Sequence, residues 1–268
     1  MLTGKKALIT GVGPGLGSDI ARAYAKQGAD LLLIARSERV VPDLIVELAE
    51  LGCRAHGVSA SITDASDRDT IAAAVDEHFG GHLDVLVNSA FHGGEMVKFE
   101  DADLQRWRRP MDINYFGTLG LTQRLLPALK AAARDRGDAR IIMINTMSTH
   151  HLESSHGSYA ASKAALGAIT KTLAMELGEY GIRVNALHPG YIWGDSVQIY
   201  FEMQAAERGG ETTWNDIYDE RASETALGYL PHSSEIAGAA VFYASELSKC
   251  VTGTALPVNG GHWMPPSA

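Results

Sequence analysis

Short runs of apolar residues alternate with longer amphipathic segments along most of the chain. Runs with the length and composition of β-strands occur at residues 6–10, 30–35, 54–59, 83–88, 140–145, 183–188 and 255–258. We interpret the first six as continuous apolar runs, which predicts strands buried on both faces of a sheet. Segments with helical periodicity occur at residues 16–27, 41–51, 66–79, 103–133, 159–179 and 234–245. This alternation predicts βαβ units built around a parallel sheet.

Two segments depart from the regular alternation. Pro110 interrupts the fourth amphipathic segment, and because proline breaks the interior of a helix, we expect a short helix, a turn and then a long helix from Asp112. Residues 194–230 exceed the usual βα connection of about 2–6 residues and carry several aromatic side chains. We predict that they form a substrate-binding lid within a single domain of residues 1–268, with plain packing of the aromatic side chains as an equal alternative.

Composition narrows the possible partners and the compartment. The chain of 268 residues has 23 Lys and Arg against 32 Asp and Glu, a net charge of −9, which argues against nucleic acid as the main partner. No apolar run approaches the roughly 18 residues of a membrane span. Cys53 and Cys250 lie far apart in the sequence, and the chain enters its first strand without room for a leader. We therefore expect a cytoplasmic protein with reduced cysteines.

A glycine-rich turn lies between the first strand and the first helix. Such a turn lets the backbone approach a pyrophosphate, and the helix N-terminus supplies unpaired N–H groups. The spacing is T-G-x-x-x-G-x-G, because Leu16 occupies the position where G-x-G-x-x-G requires its third glycine. A purely structural turn is the alternative, but the position after the first strand favours nucleotide binding by Gly11, Gly13, Gly15, Leu16 and Gly17.

The end of the second strand carries a cation. A carboxylate about 20 residues after the glycines binds the ribose hydroxyls of NAD, whereas an arginine accommodates the 2′-phosphate of NADP. Here Ala35 is followed by Arg36 and Ser37, which favours NADP(H) because guanidinium binds phosphate well. Glu38 would weaken this preference, and a solvated Arg36 is the alternative, so NAD(H) stays possible.

A tyrosine and a lysine at helical spacing form the candidate catalytic pair. Tyr159 and Lys163 are four residues apart, so their side chains share one helix face. A free phenol has a pKa near 10, too high for proton exchange near neutrality. We expect Lys163, together with an oxidised nicotinamide, to lower the phenol pKa to about 7. The pattern is weak alone, but this one follows the fifth strand, at the sheet edge where ligands bind.

Further motifs accompany the glycine turn and the Tyr159/Lys163 pair, namely residues 84–88, Asn114, Pro189-Gly190 and residues 258–261. With these motifs, essentially the whole chain resembles the short-chain dehydrogenase/reductase family, in its single-domain branch of about 250 residues. The resemblance implies a doubly wound, Rossmann-type α/β fold of about seven strands, in the order 3-2-1-4-5-6 with the seventh at the edge. It also implies a homotetramer or homodimer that transfers hydride between a nicotinamide cofactor and a carbonyl or secondary alcohol substrate.

The resemblance assigns a role to each matching residue. Tyr159 is the general acid or base, and Lys163 lowers its pKa and holds the nicotinamide ribose. The backbone carbonyl of Asn114 positions a water, and Asn88 lines the adenosine side. The cofactor-binding set implied in this way is Gly11, Gly13, Gly15, Leu16, Gly17, Arg36, Ser37, Ser61, Ile62, Asn88, Ser89, Ala90, Tyr159, Lys163, Pro189, Gly190 and Ile192.

One catalytic position departs from the family pattern. The family has a serine at the end of the fifth strand, where this chain has Thr146. Threonine keeps a hydroxyl that donates and accepts hydrogen bonds, so we favour Thr146 as the residue that orients the substrate. Ser148, two residues later, is the alternative.

Three histidines precede the helix of Tyr159, at His150, His151 and His156. No carboxylate or cysteine stands in a clear metal-binding register with them, so we predict no metal site and expect them to border the substrate pocket. Two alternatives to an NADP(H)-dependent reductase stay open. One is an NAD-dependent alcohol dehydrogenase of the same family, and the other is a nucleotide-binding sensor without turnover.

Overall fold

A parallel sheet of seven strands forms the centre of the molecule in a computed structural model, which describes residues 1–37 and 39–264. The strands are β1 (Lys6–Thr10), β2 (Asp30–Ala35), β3 (Ala55–Ser59), β4 (Val85–Asn88), β5 (Ala139–Ile144), β6 (Ile182–Pro189) and β7 (Ala255–Val258). Their order is β3-β2-β1-β4-β5-β6-β7, and every neighbouring pair is parallel. The predicted doubly wound α/β fold and strand order are therefore confirmed. Glu38, expected to influence cofactor choice, lies outside the described residues.

The helices flank this sheet on both faces. They are α1 (Leu16–Lys26), α2 (Val41–Glu50), α3 (Ala65–Phe79), α4 (Arg108–Met111), α5 (Thr118–Arg136), α6 (Gly157–Leu177), α7 (Asp195–Arg208), α8 (Trp214–Ser223) and α9 (Ser233–Ala244). A π-helical segment, Asp112–Gly117, joins α4 to α5. Short 3₁₀ turns occur at Phe99–Asp101, Met147–Thr149, Gly178–Tyr180 and Glu246–Ser248.

The turn expected at Pro110 is absent. Pro110 is the third residue of α4, and the backbone stays helical from α4 through the π-helical segment into α5. A proline is tolerated in the first turn of a helix because the N–H it lacks has no intrahelical acceptor there. The prediction of a break was wrong because it treated Pro110 as a residue of the helix interior.

Strand β3 also differs from its prediction. Strands β4, β5 and β6 are buried along their whole length, whereas no residue of β3 is fully buried. The reason is its place at the edge of the sheet, where it has one neighbouring strand. Helix α2 packs closely on it, since a Cβ at Gly57 would lie 2.5 Å from Val41 Cγ1.

Two apolar cores fill the two faces of the sheet. One packs α3, α5 and α6 against the sheet through residues such as Val75, Leu125 and Leu166. The other packs α1, α2 and α9 through residues such as Tyr24 and Leu48. The Tyr24 hydroxyl is also satisfied, donating to the Ala240 carbonyl at 3.0 Å. Helices on both faces leave the carboxyl edge of the strands open for ligands.

Residues 194–230, between β6 and α9, form α7 and α8, which pack on each other around a small apolar cluster of their own. Phe201, Ala205, Ile217 and Leu230 are its buried members. Trp193, Tyr200, Trp214 and Tyr218 pack against them, so much of this aromatic content serves the internal packing of the segment. Within the described residues, no helix is both long and apolar enough to cross a membrane.

Candidate active site

A cavity of about 1020 Å³ opens at the carboxyl edge of the sheet, above the ends of β1, β2 and β4. Its wall contains many of the predicted cofactor residues, namely Gly11, Gly13, Arg36, Ser37, Ser61, Ile62, Ser89 and Ala90. The cavity lies where crossovers to the two sides of the sheet diverge, between β1 and β4. This is the point at which open parallel sheets bind nucleotides.

The glycine loop, residues 11–17, has the shape that a pyrophosphate requires. Gly11 has φ +70°, and a Cβ there would lie 2.6 Å from Ala90 Cα, so only glycine fits. Gly13 and Gly15 instead face open space, since a Cβ on either residue would have no neighbouring atom within 4 Å. No side chain of the described residues caps the N-terminus of α1. The loop therefore leaves room and free N–H groups for an anion.

Thr10 ties this loop to the neighbouring strand end. Its hydroxyl accepts hydrogen bonds from the N–H groups of Ser89 at 3.0 Å and Ala90 at 3.1 Å, and donates to the Val87 carbonyl at 3.3 Å. These bonds fix the spacing between the β1 and β4 loops, which face each other across the cavity. The residues present fit a dinucleotide.

Two arginines that sequence reasoning missed line the same cavity as Arg36. Arg68 comes from α3, where its Nη1 donates to the Ile62 carbonyl at 2.9 Å, and Arg109 comes from α4. Burial lowers the pKa of His92, and the positive charges of Arg109 and Arg36 lower it further. In the described part of the chain, three arginines against one carboxylate, that of Asp112, give the cavity wall an excess of positive charge. No local sequence pattern around Arg68 or Arg109 predicts it.

The catalytic pair lies on α6, with Lys163 buried beneath the end of β5. Its Nζ donates to the Ile144 carbonyl at 2.7 Å. Burial lowers the pKa of Lys163 to about 7. Burial also raises the pKa of Tyr159 to about 12, and a hydrogen bond with Thr146 opposes this rise. The expected lowering of the phenol pKa is therefore not produced by the protein groups, because desolvation outweighs the single hydrogen bond.

Asn114 connects the cavity wall to the helix of Tyr159. It is fully buried in the π-helical segment, and its amide donates to the His92 carbonyl and to Ser162 Oγ, both at 2.9 Å. Its side-chain oxygen accepts the His92 N–H at 2.7 Å, while Ser162 donates to the Tyr159 carbonyl at 2.8 Å. The side chain of Asn114 thus holds two parts of the site in register.

Known proteins resemble the chain over its full length. A family model described as enoyl-(acyl carrier protein) reductase matches residues 11–262. Oxidoreductase UcpA of Salmonella typhimurium is 35% identical over 274 residues, covering 99% of this chain and 97% of that protein. The chain belongs to the short-chain dehydrogenase/reductase family. It is accordingly an oxidoreductase that works with a nicotinamide cofactor, as the sequence predicted.

Solved structures of the family superpose closely. L-Sorbose reductase from Gluconobacter frateurii, complexed with NADPH and L-sorbose, has a TM-score of 0.89 at 28% identity, covering 97% of each chain. NAD⁺-bound xylitol dehydrogenase has a TM-score of 0.87 at 25% identity, covering 97% of this chain and 99% of that one. These two short-chain dehydrogenases/reductases hold different nicotinamide cofactors in the same fold, so the fold alone does not select one.

Thr146 lies close enough to Tyr159 for its hydroxyl to lower the pKa of the phenol. Its hydroxyl also donates to Ser148 Oγ at 3.2 Å and accepts the Ser148 N–H at 3.2 Å. Ser148 is therefore linked to Thr146. It lies in the 3₁₀ turn Met147–Thr149, which the Thr146 side chain caps.

Several predicted cofactor residues are not part of the wall of this cavity. Asn88 is buried inside the fold, where its amide donates to Thr122 Oγ1 at 3.0 Å and contacts Met143 Sδ at 3.3 Å, so it joins β4 to its neighbours and does not line the cavity. As far as the described residues go, the cavity wall also omits Gly15, Leu16, Gly17, Tyr159, Lys163, Pro189, Gly190 and Ile192. Gly17 has a packing role, since a Cβ there would lie 2.5 Å from the Gly11 carbonyl oxygen.

The three histidines singled out in the sequence contact residues 194–230, which we predicted to be a lid, and the C-terminal segment of residues 259–264. His150 stacks on Trp263, with ring centroids 4.4 Å apart and planes 6° apart. His156 meets Tyr200 of α7 edge to face at 6.2 Å. His151 lies 4.9 Å from His262, ring to ring. We call these three contacts the rim, and they join the loop after β5 to residues 194–230 and 259–264.

Proposed function

We propose that this protein is an NADP(H)-dependent oxidoreductase that interconverts a carbonyl and a secondary alcohol, with Tyr159 as general acid or base. The observation that carries the proposal is the convergence of Tyr159, Thr146 and buried Lys163 at the carboxyl edge of β5. Burial of a cation is costly, so a lysine buried one helical turn after Tyr159 supports a role for Lys163 in the chemistry of the site.

The residues divide the chemistry as follows. A bound nicotinamide supplies or accepts the hydride. In the reductive direction, the Thr146 hydroxyl holds the carbonyl oxygen and Tyr159 donates the proton that this oxygen takes up. Burial raises the pKa of Tyr159 to about 12, so the phenol is protonated at neutral pH. The charges of Lys163 and of a bound oxidised nicotinamide would lower this pKa toward the operating pH, where general acid–base catalysis is efficient. Lys163 binds the ribose, and its charge stabilises the phenolate that remains after proton transfer.

The proposed preference for NADP(H) rests on three arginines in the wall of the cavity. Arg36 follows β2 directly, and Arg68 and Arg109 line the same space. Guanidinium groups bind phosphate through paired hydrogen bonds, so a 2′-phosphate would find donors here. L-Sorbose reductase, which resembles this chain, was solved with NADPH. Xylitol dehydrogenase was solved with NAD⁺, and an NAD-dependent dehydrogenase is therefore the alternative that the test must separate.

We also propose that residues 1–268 form one domain in which the lid covers the substrate, and that the protein assembles as a homotetramer or homodimer in the cytoplasm. The lid proposal is supported by the contact of α7 with the loop before α6, through Tyr200 and His156. Light scattering on the purified protein measures the assembly.

The decisive experiment follows NADPH and NADH consumption by the purified protein across a panel of ketones, keto sugars and acyl thioesters. We expect turnover that prefers NADPH in the wild type and collapses in Tyr159→Phe. Thr146→Ala should lose most activity, while the matched variant Ser148→Ala should retain it. A preference for NADH would overturn the assignment of Arg36. Tight cofactor binding without turnover on any compound would instead favour the nucleotide sensor.

A further inference from the structure

Three residues that are far apart in the sequence meet at the rim of the site. His151 follows the 3₁₀ turn after β5, Glu224 follows α8 of the lid, and His262 belongs to the C-terminal segment. Their ligand atoms, one from each side chain, all lie within 4.8 Å of one another. The sequence offered no carboxylate in register with His151, and the fold brings Glu224 to it.

Two imidazoles and one carboxylate are a donor set that binds divalent transition metals, Zn²⁺ above all. In a tetrahedral site with bonds of about 2.1 Å, the ligand atoms lie roughly 3.4 Å apart. The separations in the cluster, which reach at most 4.8 Å, therefore have to shrink by up to about 1.4 Å. Rotation of the partly exposed His151 and Glu224 side chains provides that movement.

The carboxylate is already oriented. Glu224 Oε1 accepts a hydrogen bond from Arg221 Nη1 at 2.9 Å, and Oε2 accepts from His262 Nε2 at 2.8 Å. A carboxylate held by an outer partner is the usual support of a metal ligand. The positive charge of Arg221 opposes a second cation, so the ion must be one that gains strongly from imidazole, which favours Zn²⁺ over Mg²⁺ or Ca²⁺.

One nitrogen of the buried His262 ring lacks a hydrogen-bond partner among the described residues. Its side chain is 2% exposed, and its Nδ1 is buried with no hydrogen-bond partner among residues 1–37 and 39–264. Buried polar atoms are normally paired. The ring is thus held in the cluster by one nitrogen while the other stays unsatisfied.

We propose that His151, Glu224 and His262 bind a divalent transition-metal ion of the Zn²⁺ class. The ion fastens the end of α8 and the C-terminal segment to the loop that follows β5. It is a structural clasp that holds the lid over the substrate side of the site, and it takes no part in hydride transfer. The site therefore stands or falls independently of the proposed activity.

The test measures Zn²⁺ binding by titration calorimetry on protein purified without a polyhistidine tag and treated with chelator. We expect about one equivalent per chain, and a loss of affinity of at least about tenfold in His151→Ala, Glu224→Gln and His262→Ala. His150→Ala and His156→Ala, which change neighbouring histidines outside the cluster, should bind as the wild type does. Cys250→Ser controls for the exposed thiol.

Thermal unfolding and Co²⁺ absorption test the metal site separately from the measured affinity. Zn²⁺ should raise the thermal unfolding midpoint of the wild type but not of His151→Ala, whose partly exposed side chain leaves the fold intact. Co²⁺ should give visible absorption bands typical of a low-coordinate site, and Glu224→Gln should change them. Absence of saturable binding in the wild type, or equal binding by the three cluster variants, would overturn the site. Loss of activity in Tyr159→Phe has no bearing on either readout.

Discussion

The glycine loop and the rim of this protein are built in opposite ways. The glycine loop is one contiguous segment, and its shape follows from a strand, a tight turn and a helix that are adjacent in the chain. The rim combines the loop after β5, the lid and residues 259–264, which meet only in three dimensions. The backbone conformation of the glycine loop is therefore encoded largely in one segment, whereas the rim and the arginines of the cavity depend on contacts between distant segments.

The largest effect we expect is a loss of turnover without a loss of cofactor binding. Tyr159→Phe removes the proton donor but leaves the glycine loop unchanged, so kcat should fall by about 10²–10⁴-fold. Dissociation constants for the reduced cofactor should stay within about twofold, since the phenyl ring fills the same space. Steady-state kinetics and fluorescence titration measure the two quantities. A variant that lost both turnover and cofactor affinity would contradict the assignment of Tyr159 to proton transfer alone.

A pH series examines the buried lysine. The folded-state pKa of Lys163 is about 7, below its ordinary value of 10.5, so the unfolded chain binds more protons between these values. The free energy of unfolding should therefore rise with pH across this window, by up to about 1.4 kcal/mol per pH unit. Lys163→Met should remove that rise in cofactor-free protein.

Urea unfolding at pH 7, 8, 9 and 10 measures the effect, with the wild type as reference. Above pH 10 the raised pKa of Tyr159 acts in the opposite direction, because the unfolded phenol loses its proton first. An identical pH dependence in the two proteins would mean that Lys163 is charged and solvated.

A matched pair of glycine variants examines how closely the glycine loop packs on the segment after β4. Gly11→Ala places a methyl group against the backbone of Ala90 at a positive φ, which should destabilise the fold by about 2–4 kcal/mol. Gly13→Ala meets open space and should change the unfolding midpoint very little. Calorimetry compares the two proteins, and equal stability would contradict the described packing of the loop.

A weaker effect concerns cofactor choice. Arg36→Ala should weaken NADPH binding by about tenfold, or about 1.4 kcal/mol. NADH binding should change by less than about threefold, because NADH offers no 2′-phosphate to the guanidinium. The matched variant Arg108→Ala, which removes an arginine outside the cavity wall, should leave both constants unchanged. Equal losses for both cofactors would remove the case for NADP(H).

The strands, their order and the positions of the two main motifs could be read from the sequence. Strands β1, β2 and β7 begin and end where the apolar pattern placed them. Thr146, Tyr159 and Lys163 come together because parallel strands and the helices that follow them deliver their residues to one edge. These features depend on short-range periodicity and on a topology that few alternatives satisfy.

Other features of the protein depend on its tertiary structure. The exposure of β3 depends on which strand stands at the edge, and Asn88 turns inward because Thr122 offers a hydrogen-bond partner there. Arg109 reaches the cavity, and Glu224 meets His151 and His262, through contacts between segments far apart in the chain. The residues of a segment determine its own preference for helix, strand or turn. Contacts between distant segments depend on the packing of the whole chain, which cannot be derived from any one segment.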